Sequence, residues 1–160
     1  MKIIDNFLPD IYLQYLLGIL LSNKFDWHYQ SSKVEDNDGG QQFTHIFFSN
    51  NKHSNYLSIL DPIFKILNVK KLIRVKANFT FSTNKIENFK FHTDTHEECN
   101  TAIFYLNTNN GKTLFRDSKV ESVANRMVIF PSYLEHTGTT HTDTKYRLVL
   151  NVNYKDVENS

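Results

Sequence analysis

From about residue 71 onward the chain is a succession of short runs rich in aromatic and β-branched residues, each cut off by Asn, Gly, Ser or Thr. That punctuation predicts strands at 71–82, 89–94, 100–107, 112–116, 126–131 and 145–154. Many short strands following helices specify a mainly β fold, an antiparallel barrel or sandwich with N-terminal helices against one face.

The first 70 residues read as that support. Pro9 suits the first turn of a helix running to about Ser22, with Asp10 at its positive end. "FDWHYQ" (25–30) and "QQFTHIFFSN" (41–50) read as strands around a polar loop with a turn signal at Asp38-Gly39-Gly40. A second helical stretch, about His53 to Asn68, carries Tyr56, Leu57, Leu60, Phe64 and Leu67 at helical spacing, with Pro62 marking a break or a new start. There is no repeat or linker, so residues 1–160 form a single domain, with support at 1–70 and a β core at about 71–154.

A chain of 160 residues with a 40% hydrophobic share, including 13 Phe and 8 Tyr, can bury a sizeable core. The formal charge of +1 comes without a basic stripe, so no nucleic-acid partner is expected. The apolar stretch Ile11–Leu21 is too short to span a bilayer and follows Asp5, Pro9 and Asp10, so a packed helix is expected and no membrane partner. The single Cys99 cannot form an internal disulfide, which fits a reducing, cytoplasmic setting. No feature of the sequence sets an oligomeric state.

"FHTDTHEECN" (91–100) concentrates six groups able to hold a metal or move a proton. In a strand, residues i and i+2 point the same way, so His92 and Asp94 share a face. His136 lies 42 residues after Asp94, just past the apolar strand "RMVIFP". Two His and one carboxylate, with open positions opposite, suit a non-haem Fe(II) oxygenase. Three ligands and an open position equally describe a catalytic zinc site, so the ligand set alone does not name the metal. Arg147 follows in the strand "KYRLVLNVNY", sharing a face with Lys145 and Val149. A guanidinium in an otherwise apolar strand is costly unless an anion pairs with it, and its planar fork matches a carboxylate. A buried Asp or Glu of the chain itself would serve as well.

A second His-Thr-Asp, at His141 and Asp143, reads as a surface turn in a Thr-rich loop. No distal His follows it, and His141 lies only six residues before Arg147. His96, Glu97 and Glu98 fall beyond the strand end, in a solvated turn. Cys99 reads as a small buried apolar residue. His28, His45 and His53 have no partner at metal spacing and are structural or exposed.

"FHTD", "EHTG" and Arg147 together resemble the iron(II)/2-oxoglutarate-dependent oxygenase superfamily, in its prolyl-4-hydroxylase-like branch with small phage-type members. "TAIFYLNTNNGKTLF" (101–115) resembles a strand-turn-strand of that branch, and "VESVANRMVIFPSYLEHTG" (120–138) its approach to the distal histidine. The resemblance covers roughly residues 72 to 154. It implies a double-stranded β-helix, the jelly-roll or cupin-like core. It also implies His92, Asp94 and His136 as iron ligands, Arg147 on the distal carboxylate of 2-oxoglutarate, a Tyr105 hydroxyl bond to that cosubstrate, and Asn78 in the pocket wall. The cofactor would be Fe(II), the cosubstrates 2-oxoglutarate and O₂, and the reaction hydroxylation of an unactivated C–H bond. The substrate would be a peptidyl proline or other protein side chain, or a small molecule. Prolyl hydroxylases often carry Lys where this chain has Arg147, which weakens any transfer of the prolyl substrate. Two other classes stay open, a cupin-like zinc hydrolase or isomerase and a non-enzymatic β-domain that binds a partner. The loops Ser31–Gly40 and Ser82–Asn88 are candidate lids.

Overall fold

The computed structural model describes residues 1–32 and 40–156. In chain order the elements are β1 (Lys2–Ile4), α1 (Asp10–Leu20), β2 (His28–Gln30), β3 (Gln42–Ser49), β4 (Lys52–His53), a 3-10 turn (Leu57–Leu60), α2 (Asp61–Ile66) and β5 (Lys71–Phe81). They continue with β6 (Asn100–Tyr105), β7 (Lys112–Phe115), β8 (Lys119–Glu121), β9 (Arg126–Pro131), β10 (His136–Gly138) and β11 (Tyr146–Lys155). The large sheet runs β1-β9-β6-β11-β5-β3-β2, with β4 on β3, and a small sheet runs β10-β7-β8. Every pairing is antiparallel. This is the mainly β, double-stranded β-helix architecture, with helices outside it. Among the described residues no helix is long and apolar enough to cross a membrane.

Period-2 alternation decides what each strand of the large sheet does. On one face Val75, Ala77, Ala102, Phe104, Leu148, Leu150 and Val152 pack with Leu13, Leu16 and Leu20 of α1 in the main core. On the other face Ile103, Tyr105, Val128 and Val149 meet Phe115 and Val120 of the small sheet. That second cluster fills only part of the space between the sheets. Residues of the same face on β5 and β11, among them Lys76, Asn78, Thr80, Arg147 and Asn151, line a cavity instead.

The structure departs from the sequence expectations in several places. The segment 89–94 is not a strand; it makes one isolated bridge, between His92 and His136. Short backbone matches such as this depend on a partner far along the chain, which local composition does not carry. The helical stretch at 53–68 divides, because Pro62 lacks an N–H and can only sit at a helix start; it opens α2 after the 3-10 turn. The three-residue strands β1, β8 and β10 were not anticipated. The turn holding the second His-Thr-Asp is not on the surface at its histidine, since His141 is 0% exposed. Its carbonyl accepts the Thr83 N–H at 2.9 Å, while Thr140 N–H donates to the Glu87 carbonyl at 3.0 Å. These bonds fasten Ser82–Asn88 to the turn, so that segment is anchored rather than hanging as a lid. Of the other candidate lid, residues 33–39 lie outside the described residues.

Candidate active site

His92 and His136 are brought together by backbone first. Each N–H donates to the other's carbonyl at 3.0 Å, the reciprocal exchange of a directly opposed antiparallel pair. Opposed residues project their side chains to the same side, and the two rings stand 5.0 Å apart, centroid to centroid. Asp94, two residues beyond His92, completes the cluster. Its Oδ2 is 3.6 Å from His136 Nε2, and its Oδ1 is 4.0 Å from His92 Nε2. One ligand atom from each of the three lies within 4.8 Å of the others, so a single ion can be held by all three.

Both rings are oriented for that task. His92 Nδ1 faces the Lys90 carbonyl at 3.2 Å and His136 Nδ1 faces the Leu134 carbonyl at 3.1 Å. A carbonyl only accepts, so each Nδ1 carries the proton and each Nε2 is left with a lone pair for a metal. Burial, reinforced by His136, lowers the His92 pKa and favours the neutral imidazole that ligation needs.

Asp94 is held by two residues the sequence reading missed. Arg74 Nη2 donates to Oδ1 at 2.8 Å, and Asn151 Nδ2 donates to Oδ2 at 2.7 Å. Burial of this carboxyl works to raise its pKa, but its charged and hydrogen-bonding neighbours, the Arg74 guanidinium and the Asn151 amide among them, together hold it well below the usual carboxylate range. Asp94 is therefore a preformed anion. The signal for both partners lay in alternation. Arg74, Lys76, Asn78 and Thr80 are every second residue of "RVKANFT", and Asn151 is every second residue from Arg147.

Arg147 lies at the far end of the cavity. It is 9% exposed, its Nε donates to Ser122 Oγ at 3.1 Å, and its guanidinium carbon stands 5.8 Å from the Tyr105 ring centre. Burial lowers its pKa, though not to the point of neutrality for so strong a base. Among the described residues no carboxylate comes within 4.0 Å of it. The reading in which a buried Asp or Glu of the chain satisfies Arg147 therefore finds no partner among the described residues. Gly111 makes room for it, because a Cβ there would sit 3.0 Å from both Cδ and Nε of Arg147.

Asn78 lines the cavity, and its buried Oδ1 has no hydrogen-bond partner. Tyr105 is 0% exposed and stands behind the wall; its hydroxyl donates to Thr113 Oγ1 at 2.6 Å, and Thr113 is the residue that faces the cavity. The cavity offers about 110 Å³ to the centre of a water-sized sphere and is lined by polar and apolar side chains alike. His141 is not part of the metal-competent cluster, and Cys99 is buried as expected. His45 is structural, bonded to the Asp26 carbonyl at 2.7 Å and to Ser54 Oγ at 3.0 Å.

No protein-family model and no curated protein matches the sequence. Solved structures do match the fold. A viral collagen prolyl hydroxylase from Paramecium bursaria Chlorella virus-1, in a 2OG complex, superposes with a TM-score of 0.64 at 14% identity, over 98% of this chain and 95% of that one. The two chains share a fold. A Pseudomonas putida prolyl-4-hydroxylase gives 0.61 at 16% identity, over 96% and 91% of the two chains. A Trichoplax adhaerens prolyl hydroxylase, in complex with a hypoxia-inducible-factor oxygen degradation domain peptide fragment, gives 0.61 at 16% over 99% and 84%. The match extends over the N-terminal support as well as the β core, so the shared fold accounts for nearly the whole chain.

Proposed function

We propose that the protein is an Fe(II)/2-oxoglutarate-dependent dioxygenase that hydroxylates an unactivated C–H bond, with a peptidyl residue, proline first, as substrate. The observation that carries this reading is the pairing of a His-Asp-His cluster with a buried arginine that has no carboxylate partner among the described residues, at opposite ends of one cavity. A zinc hydrolase needs no oxoacid, so Arg147 would then be structural, and among the described residues no carboxylate pairs with it in that role. The peptide bound to the Trichoplax neighbour supports a peptidyl substrate for the same fold.

The residues present fit both absent groups. His92, Asp94 and His136 would hold the metal, because the proton on each Nδ1 and the anionic Asp94 leave three free donors facing one point. Arg147 would grip the distal carboxylate of the cosubstrate through its planar fork. Thr113, backed by the Tyr105 hydroxyl, and Asn78 would line the same slot. When bound, Fe(II) and 2-oxoglutarate supply the O₂ chemistry that puts one oxygen atom into the substrate C–H bond and the other into succinate, with loss of CO₂. The protein's own part is orientation. Arg74 and Asn151 fix both Asp94 oxygens, the two backbone carbonyls fix the imidazoles, and the apolar wall of Ile103 and Val149 limits water.

The test is anaerobic titration of the metal-free protein with Fe(II) and then 2-oxoglutarate, following the weak visible band of a metal-chelated 2-oxo acid. The band is expected to vanish with Asp94→Ala and to need at least about tenfold more 2-oxoglutarate with Arg147→Ala, the loss of a charge-assisted pair. Tight zinc binding with no band would sink the oxygenase reading.

A further inference from the structure

Lys76 is a second cation in the cavity, and the oxygenase reading gives it nothing to do. It projects from β5 on the cavity face, between Arg74 and Asn78. Among the described residues no carboxylate lies within 4.0 Å of its ammonium. Burial, with Arg74 adding, lowers its pKa and nearby Asp94 opposes, so the site is somewhat costly for a cation. An ordinary solvent-facing lysine would snorkel to water; this one lines the pocket.

Its position separates it from Arg147. In the β5–β11 register Thr80 stands opposite Arg147 and Lys76 opposite Asn151, the residue bonded to Asp94. A step of four residues along the strands separates the two cations, about 13 Å of backbone. Arg147 therefore lies away from the metal cluster, and Lys76 lies at the metal end, where the carbon to be oxidised must come. Charge makes the same division. Asp94 is bonded to Arg74 and the distal carboxylate of 2-oxoglutarate would go to Arg147, so a loaded site has no anion assigned to Lys76. Hydrogen-bonding capacity adds an independent requirement. Asn78 Oδ1 and Asn151 Oδ1, flanking Lys76, are buried acceptors without donors, and a fully ionised oxoacid has no donor to offer them.

We propose that Lys76 receives a carboxylate of the substrate and that the flanking asparagine oxygens accept from its N–H groups, so that this site selects acidic, amide- or amine-bearing molecules. The inference rests on the oxygenase reading and narrows its substrate to one carrying a carboxylate close to the oxidised carbon. Two sources share that chemistry, the free α-carboxylate of an amino-acid-like molecule and an acidic side chain in a peptide.

The experiment uses the Fe(II)/2-oxoglutarate band of the full chain and asks which probes perturb it. The probes are N-acetylated proline, lysine and asparagine, each as the free acid, as the neutral methylamide, and as the methylamide preceded by glutamate. Carboxylate-bearing probes are expected to perturb the band at concentrations at least about tenfold below their neutral counterparts, the scale of one charge-assisted contact. Lys76→Met should erase the preference and Lys76→Arg should keep it, while both variants still form the band. Response to the free acids assigns the α-carboxylate; response to the glutamyl probes assigns the acidic side chain. A wild-type protein that treats charged and neutral probes alike overturns the proposal, as does a Lys76→Met variant that keeps the preference. If Lys76→Met mainly raises the 2-oxoglutarate needed to form the band, Lys76 serves the cosubstrate and the proposal fails while the oxygenase reading stands. Absence of the band in the wild type sinks both.

Discussion

The two faces of β11 use one strand for opposite ends. Leu148, Leu150 and Val152 are buried in the core cluster that includes α1, where stability rises with apolar area removed from water. Arg147 and Asn151 alternate with them, also nearly buried, and spend that burial on groups that water would otherwise solvate. β5 repeats the arrangement, with Val75 and Ala77 against Arg74, Lys76 and Asn78. A protein can carry so polar an interior on one side of a sheet only because the other side is so fully apolar. Adjacent residues should therefore fail in different assays.

Leu150→Ala is the largest expected effect. It empties a fully packed position of the main core and should cost about 2–5 kcal/mol, a large part of a typical domain's stability. Chemical denaturation would show it as a lower midpoint, with Fe(II) affinity of the folded fraction unchanged. Its neighbour Asn151→Ala should do the reverse. Loss of the 2.7 Å bond to Asp94 should weaken Fe(II) binding by about 10–100-fold, measured by competition with a chelator, with a smaller change in the denaturation midpoint. If both variants moved both quantities together, the division of labour between the faces would be wrong. Gly111→Ala should come next. Its new Cβ would press on Arg147 and, at 2.8 Å, on Asn109 Oδ1, so about tenfold more 2-oxoglutarate should be needed for the same band intensity. Unchanged cosubstrate dependence would mean that Arg147 does not need its present path.

The same alternation explains what could be read from the chain and what could not. β5, β6, β7, β9 and β11 follow from runs long enough to carry period 2, and the spacing of His92, Asp94, His136 and Arg147 selected the residues that the fold brings to one cavity. β10 is three residues long, and its histidine is placed by a backbone exchange with His92 across 43 intervening residues, which no local window contains. His141 looked exposed because threonines and a glycine surround it, yet it is buried where 82–88 closes over the turn. Arg74 and Asn151 belong to the site through their contacts with Asp94, and Gly111 through what it omits. Their residue types are ordinary in strands and turns, so only the register between β5 and β11, set in three dimensions, gives them meaning.

The smallest effect at working pH distinguishes the faces by proton affinity. Tyr154, packed among the helix-side apolar residues, has its pKa pushed up to about 12 by burial, with Asp156 adding. The unfolded chain releases the same proton near 10.0. Unfolding therefore releases a proton only above that value, and stability falls progressively as pH rises from about 10 through about 12; below pH 10 Tyr154 contributes no pH dependence. Tyr105, on the cavity side, is also raised by burial, but its hydroxyl donates to Thr113, so replacing it disturbs the slot. Tyr154→Phe should flatten the alkaline limb of the stability profile and leave the Fe(II)/2-oxoglutarate band untouched. Tyr105→Phe should flatten that limb too, but at the cost of a higher 2-oxoglutarate requirement at neutral pH. An alkaline limb indifferent to Tyr154→Phe would show that the helix-side core admits water at Tyr154, and that the apolar seal on which the cavity face depends is looser than its packing indicates.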